Sequence, residues 1–134
     1  MSLIVTATAL PAAAQGFKWW QDDHFQQELN LSPDQVSRID KVFEDARPDL
    51  RAQKRALDKL EDELSAMVAE ARAGEAEVAA FVERVEDARA DLSKTRTLML
   101  YRMRRILSDD QHVKLQALFE QHERERHGKK PPRQ

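Results

Sequence analysis

The sequence predicts an all-α fold: an elongated antiparallel helical hairpin with a short N-terminal segment and a C-terminal return helix. Three observations carry this expectation. Glycine (3) and proline (5) are sparse among 134 residues dominated by Ala, Leu, Glu, Arg and Lys, a composition that suits long helices and is poor for a sheet. Apolar or small residues recur at spacings alternating between three and four along two long stretches, the signature of helices that pair along a seam. One five-residue word with the chemistry of a helix start occurs twice, 76 residues apart.

Leu3 to Ala14 is nearly all apolar or small and ends Ala12-Ala13-Ala14-Gln15, an Ala-x-Ala cleavage pattern. Residues 1–16 therefore read as a partial signal peptide, or else as an Ala-rich disordered tail, and the run is too short for a transmembrane helix. Phe17 to Leu29, with Trp19, Trp20 and Phe25 among polar residues, reads as a short helix or an extended lead-in. The first word follows: Leu31-Ser32-Pro33-Asp34-Gln35. The Ser32 hydroxyl can accept from the amide of Gln35, and the Gln35 side chain can reach back to the Ser32 amide, which makes a capping box. Pro33 sits at the first helical position, and Asp34 places negative charge at the positive end of the helix dipole.

A seam then runs through Val36, Ile39, Phe43, Ala46, Leu50, Gln53, Leu57, Leu60, Leu64, Met67 and Ala71, polar only at Gln53. Pro48 falls inside it and predicts a kink or a break, because proline lacks one backbone donor and disfavours helix at Arg47. Ala73-Gly74 is the turn signal in the middle, with Gly74 expected just past the helix end. If helical throughout, residues 33–73 would span roughly 60 Å. A second seam follows through Val78, Phe81, Val85, Ala88, Leu92, Thr95, Met99, Met103 and Ile106. The second word, Leu107-Ser108-Asp109-Asp110-Gln111, opens a last amphipathic helix through Val113, Leu115, Leu118 and Phe119. The helical domain is thus expected over 17–123. Residues 124–134 have no apolar partners and are expected to form a disordered basic tail.

Charged residues make up 34% of the chain, and long helices with one apolar stripe each usually pair or dimerise to cover it. An antiparallel homodimer is therefore expected. A net charge of −2 gives no global reason to bind nucleic acid or an anionic membrane. The absence of cysteine excludes disulfides, thiolate metal sites and thiol catalysis. No glycine-rich phosphate loop occurs and the fold offers no evident pocket for converging catalytic groups, so no enzymatic activity is expected.

Folded about Gly74, the hairpin is polarised by charge. At its root, residues 47–59 and 92–107 carry ten bases against two acids. At its tip, residues 60–91 carry ten acids against three bases. Interspersed signs would serve solubility better than segregated ones. Segregation suits an antiparallel dimer in which tip meets root. It also creates a basic surface interleaved with apolar residues, with Arg47, Arg51, Arg55, Leu98, Tyr101, Arg102 and Arg105 as the candidate contacts for acidic or partly unfolded chains.

The two words, with Glu28-Leu29-Asn30 before the first and Met103-Arg104-Arg105-Ile106 before the second, resemble the Leu-Thr-x-x-Gln repeat of the Spy/CpxP family of periplasmic chaperones and their metal-responsive relatives. The resemblance covers roughly residues 25–125. It implies an antiparallel helical dimer in the periplasm that holds unfolded clients without ATP, on a face mixing basic and apolar residues, in envelope stress. A membrane sensor kinase domain is a further candidate partner. Leu31, Ser32, Gln35, Leu107, Ser108 and Gln111 would act as structural caps. Metal-binding relatives imply the alternative of a zinc, nickel or cobalt resistance or sensor protein. At the corresponding positions stand Asp22 and Gln26, Phe43, and Met99 and Met103, of which only Met103 matches in type. Glutamine, phenylalanine and thioether are poor replacements for imidazole. His24 with Glu28, four residues apart, is the remaining pair that could hold zinc. A purely structural coiled-coil dimer is the third reading, since heptad seams alone give the same pattern.

Overall fold

The computed structural model describes residues 17–128, and all regular structure among them is helical. The expected signal-like segment, 1–16, and the end of the expected tail, 129–134, lie outside the described residues. A single 3-10 turn, Trp19–Gln21, precedes helices α1 (Asp23–Leu29), α2 (Pro33–Glu70), α3 (Glu75–Ile106) and α4 (Asp109–Gly128). The chain divides into two compact units: Met1–Ser37 with Leu107–Gln134, here the motif unit, and Arg38–Ile106, here the hairpin unit.

In the motif unit, α1 packs against the 3-10 turn and against α4. Seven residues cannot hold a helix by propensity alone, so α1 depends on its ends and on what it buries. Asp22 caps its start, accepting from the Phe25 amide at 3.1 Å. Asn30 closes it in the left-handed region (φ 50°), where asparagine is better tolerated than most residues. Its amide donates to the Gln27 carbonyl and that of Leu31 to the Gln26 carbonyl, which makes a Schellman close. The buried face is aromatic. Phe25 lies edge-on to Phe17 and tilted against Phe119, while Trp19 stands edge-on to both Trp20 and Phe119. Leu29, Leu107, Leu115 and Leu118 complete this core. Val113, expected to help form the inner face of α4, is instead exposed.

In the hairpin unit, α2 and α3 pack through the two seams. Leu57, Val85 and Leu92 are buried, and Leu50, Leu60, Leu64, Phe81 and Ala88 pack half-buried around them. Every expected seam position from Val36 to Met67 and from Val78 to Ile106 is buried or half-buried, and only Ala71, at the end of its run, is exposed. Gln53 breaks the apolar stripe, and its Oε1 is buried with no hydrogen-bond partner among the described residues.

Three expectations are corrected. Of the kink or break expected at Pro48, the break does not occur: helix α2 runs through the proline. The proline is exposed, whereas Ala46 and Leu57 are buried and Leu50 is half-buried. Packing on either side thus outweighs the lost backbone bond. Gly74 does not close α2. The helix ends at Glu70, and Ala71 takes the left-handed conformation (φ 52°) in which glycine was expected. Gly74 instead starts α3: its carbonyl accepts from Val78, as those of Ser32 and Ser108 accept from Val36 and His112. Residues 124–128 are helical and exposed, because α4 propagates more than five turns beyond its cap to Gly128.

Candidate functional site: the paired motifs and the basic root

Each repeated word builds the capping box its chemistry allows. Gln35 donates its amide to Ser32 Oγ at 3.1 Å, and the Ser32 amide donates to Gln35 Oε1 at 3.1 Å. The second copy repeats this: the Gln111 amide donates to Ser108 Oγ at 3.2 Å and the Ser108 amide to Gln111 Oε1 at 3.0 Å. The two boxes also meet. Gln35 Nε2 donates to Gln111 Oε1 at 2.9 Å, and Gln111 Nε2 donates back to Gln35 Oε1 at 3.1 Å. Gln111 Nε2 further donates to the Leu29 carbonyl at 3.1 Å, tying the end of α1 into the network. Sequence spacing identifies each box but carries no sign that one glutamine bonds the other. Repetition of the same polar word was the available hint, since side chains of identical length and polarity can pair head to tail.

The hairpin unit holds the expected client-binding residues, and a simple rule sorts them. At about 100° per residue, a side chain one position after a seam residue projects to one side of the two-helix layer, and one position before it to the other. Because the helices are antiparallel, the sense is the same for both. Glu61, which follows Leu60, bonds Arg89, which follows Ala88, at 2.8 Å. Arg47 and Arg51 follow Ala46 and Leu50 and lie on this Glu61 face. Leu98, Arg102 and Arg105 precede Met99, Met103 and Ile106 and lie on the opposite, Leu98 face. Arg55 and Tyr101 are two positions from their nearest seam residues and point outward. The structure therefore does not gather the seven on one surface.

Charge pairing differs among them. Arg47 reaches Glu44 at 3.4 Å, and Arg55 Nε donates to the Arg51 carbonyl at 3.4 Å. Among the described residues, Arg51, Arg55, Arg102 and Arg105 have no carboxylate within 4.0 Å. Leu98 is 40% and Tyr101 58% exposed. At the tip, the hydrogen bonds that the Arg89 guanidinium donates to Glu61 first and Glu86 second favour its charged form, raising its pKa above the ordinary value.

A family model described as LTXXQ motif family protein matches residues 18–129. The chain belongs to the LTXXQ motif family. This family includes the Spy/CpxP-like periplasmic proteins, and serine stands here where its motif has threonine. The substitution keeps the capping hydroxyl. No curated protein and no solved structure matches the chain.

At the positions where metal-binding relatives in the LTXXQ family would place ligands, this chain puts residues to structural use. Asp22 caps α1, and Gln26 Nε2 donates to the Trp20 carbonyl at 2.7 Å. Met99 and Met103 are buried seam residues. His24 is exposed and edge-on to Phe25, and Glu28 faces Lys114 at 3.7 Å. No group of three or more His, Cys, Asp or Glu suited to a metal ion occurs among the described residues. None of their helices is long and apolar enough to cross a membrane.

Proposed function

We propose that this chain is a periplasmic, ATP-independent holdase that binds unfolded or misfolded proteins during envelope stress. Membership of the LTXXQ family and the signal-like pattern before Gln15 support the compartment. The observation that carries the activity is the basic root. Exposed cations without carboxylate partners lie on more than one side of it: Arg51 on the Glu61 face, Arg102 and Arg105 on the opposite face with exposed Leu98, and Arg55 pointing outward like exposed Tyr101. Guanidinium stems can cover apolar client surface while their heads stay hydrated, so such a surface tolerates many client sequences. Acidic segments add an attraction that is weak per contact and screened by salt, which suits capture and release without nucleotide.

The test is aggregation suppression on an unfolding substrate, with Arg51, Arg55, Arg102 and Arg105 replaced together by Ser. Loss of suppression in a variant that keeps its helical content is expected. Full suppression would reject this surface. Calorimetry with zinc runs alongside. Sub-micromolar binding abolished by His24→Ala would move the chain to the metal-resistance class.

A further inference from the structure

The hairpin unit is not uniform along its length. Each seam has one polar member, Gln53 on α2 and Thr95 on α3, equally far in sequence from Gly74, so the antiparallel fold sets them at one level. They do not satisfy each other. Thr95 Oγ1 donates back to the Asp91 carbonyl at 3.1 Å, and Gln53 Oε1 is buried without a hydrogen-bond partner among the described residues. A buried oxygen left unbonded favours any state in which water reaches it. Toward the root from this level, Ile39, Ala46, Met99 and Met103 are buried. Beyond it, over residues 54–94, only Leu57, Val85 and Leu92 are buried, with Leu60, Leu64 and Phe81 half-buried around them. One exposed ion pair, Glu61 with Arg89 at 2.8 Å, joins α2 to α3 in this outer half. Of the ten acids over residues 60–91, only Glu61 and Glu86 have a cationic partner within 4.0 Å among the described residues. Val68, 60% exposed, and Val82, 38%, both follow seam residues and project to the same side.

We propose that this outer half is a second client site, which opens locally and receives on its seam unfolded segments carrying apolar residues beside Lys or Arg. Opening gives up a small buried area and one exposed ion pair, which is individually weak. It gains hydration of the Gln53 amide oxygen and separates the like charges of the two helices. Once α2 and α3 part, Leu57, Leu64, Phe81 and Val85 join Val68 and Val82 as an apolar strip. Acids without cationic partners fringe that strip, so an apolar segment with basic flanks complements it and an acidic one does not. The root has the opposite sign, so the two ends of the hairpin select different segments of a client. That division of clients rests on the holdase reading, whereas the opening and the capture of a basic segment do not.

Hydrogen exchange on the full chain reads the opening. Amides over 57–92 should exchange faster than those around Phe25 and Phe119, and Gln53→Leu, which makes the seam continuous, should slow them about tenfold. The chain has no cysteine, so Glu61→Cys with Arg89→Cys, joined by a short bis-maleimide, holds the outer half shut. Joined and unjoined protein are compared at equal helical content. An unstructured synthetic Leu/Lys peptide should bind the joined form about tenfold more weakly than the unjoined one, since the seam is then closed to it. A Leu/Glu peptide should bind both alike and respond instead to replacement of Arg51, Arg55, Arg102 and Arg105 by Ser. Equal exchange in the two units, an unchanged rate in Gln53→Leu, or equal Leu/Lys binding by joined and unjoined protein would overturn the proposal. Aggregation suppression without Leu/Lys capture would sink this site and leave the holdase reading standing. Clamp-sensitive Leu/Lys capture by a protein that suppresses no aggregation would uphold the site and sink that reading.

Discussion

The motif unit and the hairpin unit solve the same problem, covering the apolar side of short or long helices, by different means. The motif unit concentrates its aromatics in one core and links its helix ends through paired glutamines. The hairpin unit spreads burial thinly. Along its seams only Ile39, Ala46, Leu57, Val85, Leu92, Met99 and Met103 are buried, and Gln53 leaves an orphan amide oxygen. Two exposed valines and a set of unpaired charges stay available on its surface. The contrast suggests a division of labour in which one unit specifies structure and the other presents adaptable surface.

Truncation should expose this contrast most strongly. Phe25, 3% exposed and in contact with four other aromatic rings, should cost about 3–5 kcal/mol on replacement by Ala. Leu64, half-buried on the hairpin seam, should cost only about 1–2 kcal/mol, since less area leaves water and the remaining void is open to solvent. Chemical denaturation of the two variants measures the difference. Equal losses would mean that the hairpin core is as demanding as the aromatic one and would break the comparison.

The glutamine pair sharpens it. The Gln111 side chain bonds three residues (the Ser108 amide, the Gln35 side chain and the Leu29 carbonyl), so Gln111→Ala should cost about 1–3 kcal/mol. Because the two side chains bond one another, a double-mutant cycle should return a coupling of about 0.5–2 kcal/mol. Additive losses would show two independent caps that happen to be neighbours. Aggregation suppression per folded molecule should survive in all three variants, since the network lies in the motif unit and the proposed client surface in the hairpin unit.

Much of this was legible in the sequence because periodicity and capping are local. The seam from Val36 to Ile106 and both Ser–Gln boxes follow from spacings of three and four. The bond between Gln35 and Gln111 was not legible, since it joins residues 76 apart whose approach depends on tertiary packing. The separation of Arg51 from Arg102 onto opposite faces was legible in principle. It needed only the question of whether each residue precedes or follows its seam neighbour. Pro48 and residues 124–128 went the other way. In both, a local signal against helix lost, to flanking packing at Pro48 and, beyond Phe119 and the half-buried His122, to the propagation of a helix already nucleated and anchored.

The connection between α2 and α3 is where the smallest and most directional effects should be found. Ala71 carries a positive φ of 52°, a conformation that strains any residue with a Cβ. Ala71→Gly should relieve that strain and, after the extra freedom glycine adds to the unfolded chain, stabilise by about 0.5–1 kcal/mol. Gly74 has neither a positive φ nor a close neighbour, and a Cβ placed on it meets nothing within 4 Å. It occupies the start of α3 in the way Ser32 and Ser108 start α2 and α4, with Glu77 three residues on where those motifs have glutamine. Gly74→Ser would therefore complete a third capping box, Ser-Glu-Ala-Glu, worth a few tenths to about 1 kcal/mol. Thermal melts of the two single variants and the double would read both effects. Destabilisation by Ala71→Gly would show that the turn selects its left-handed residue for a reason other than backbone strain, and destabilisation by Gly74→Ser that glycine is needed there for backbone freedom and not as an unfilled cap.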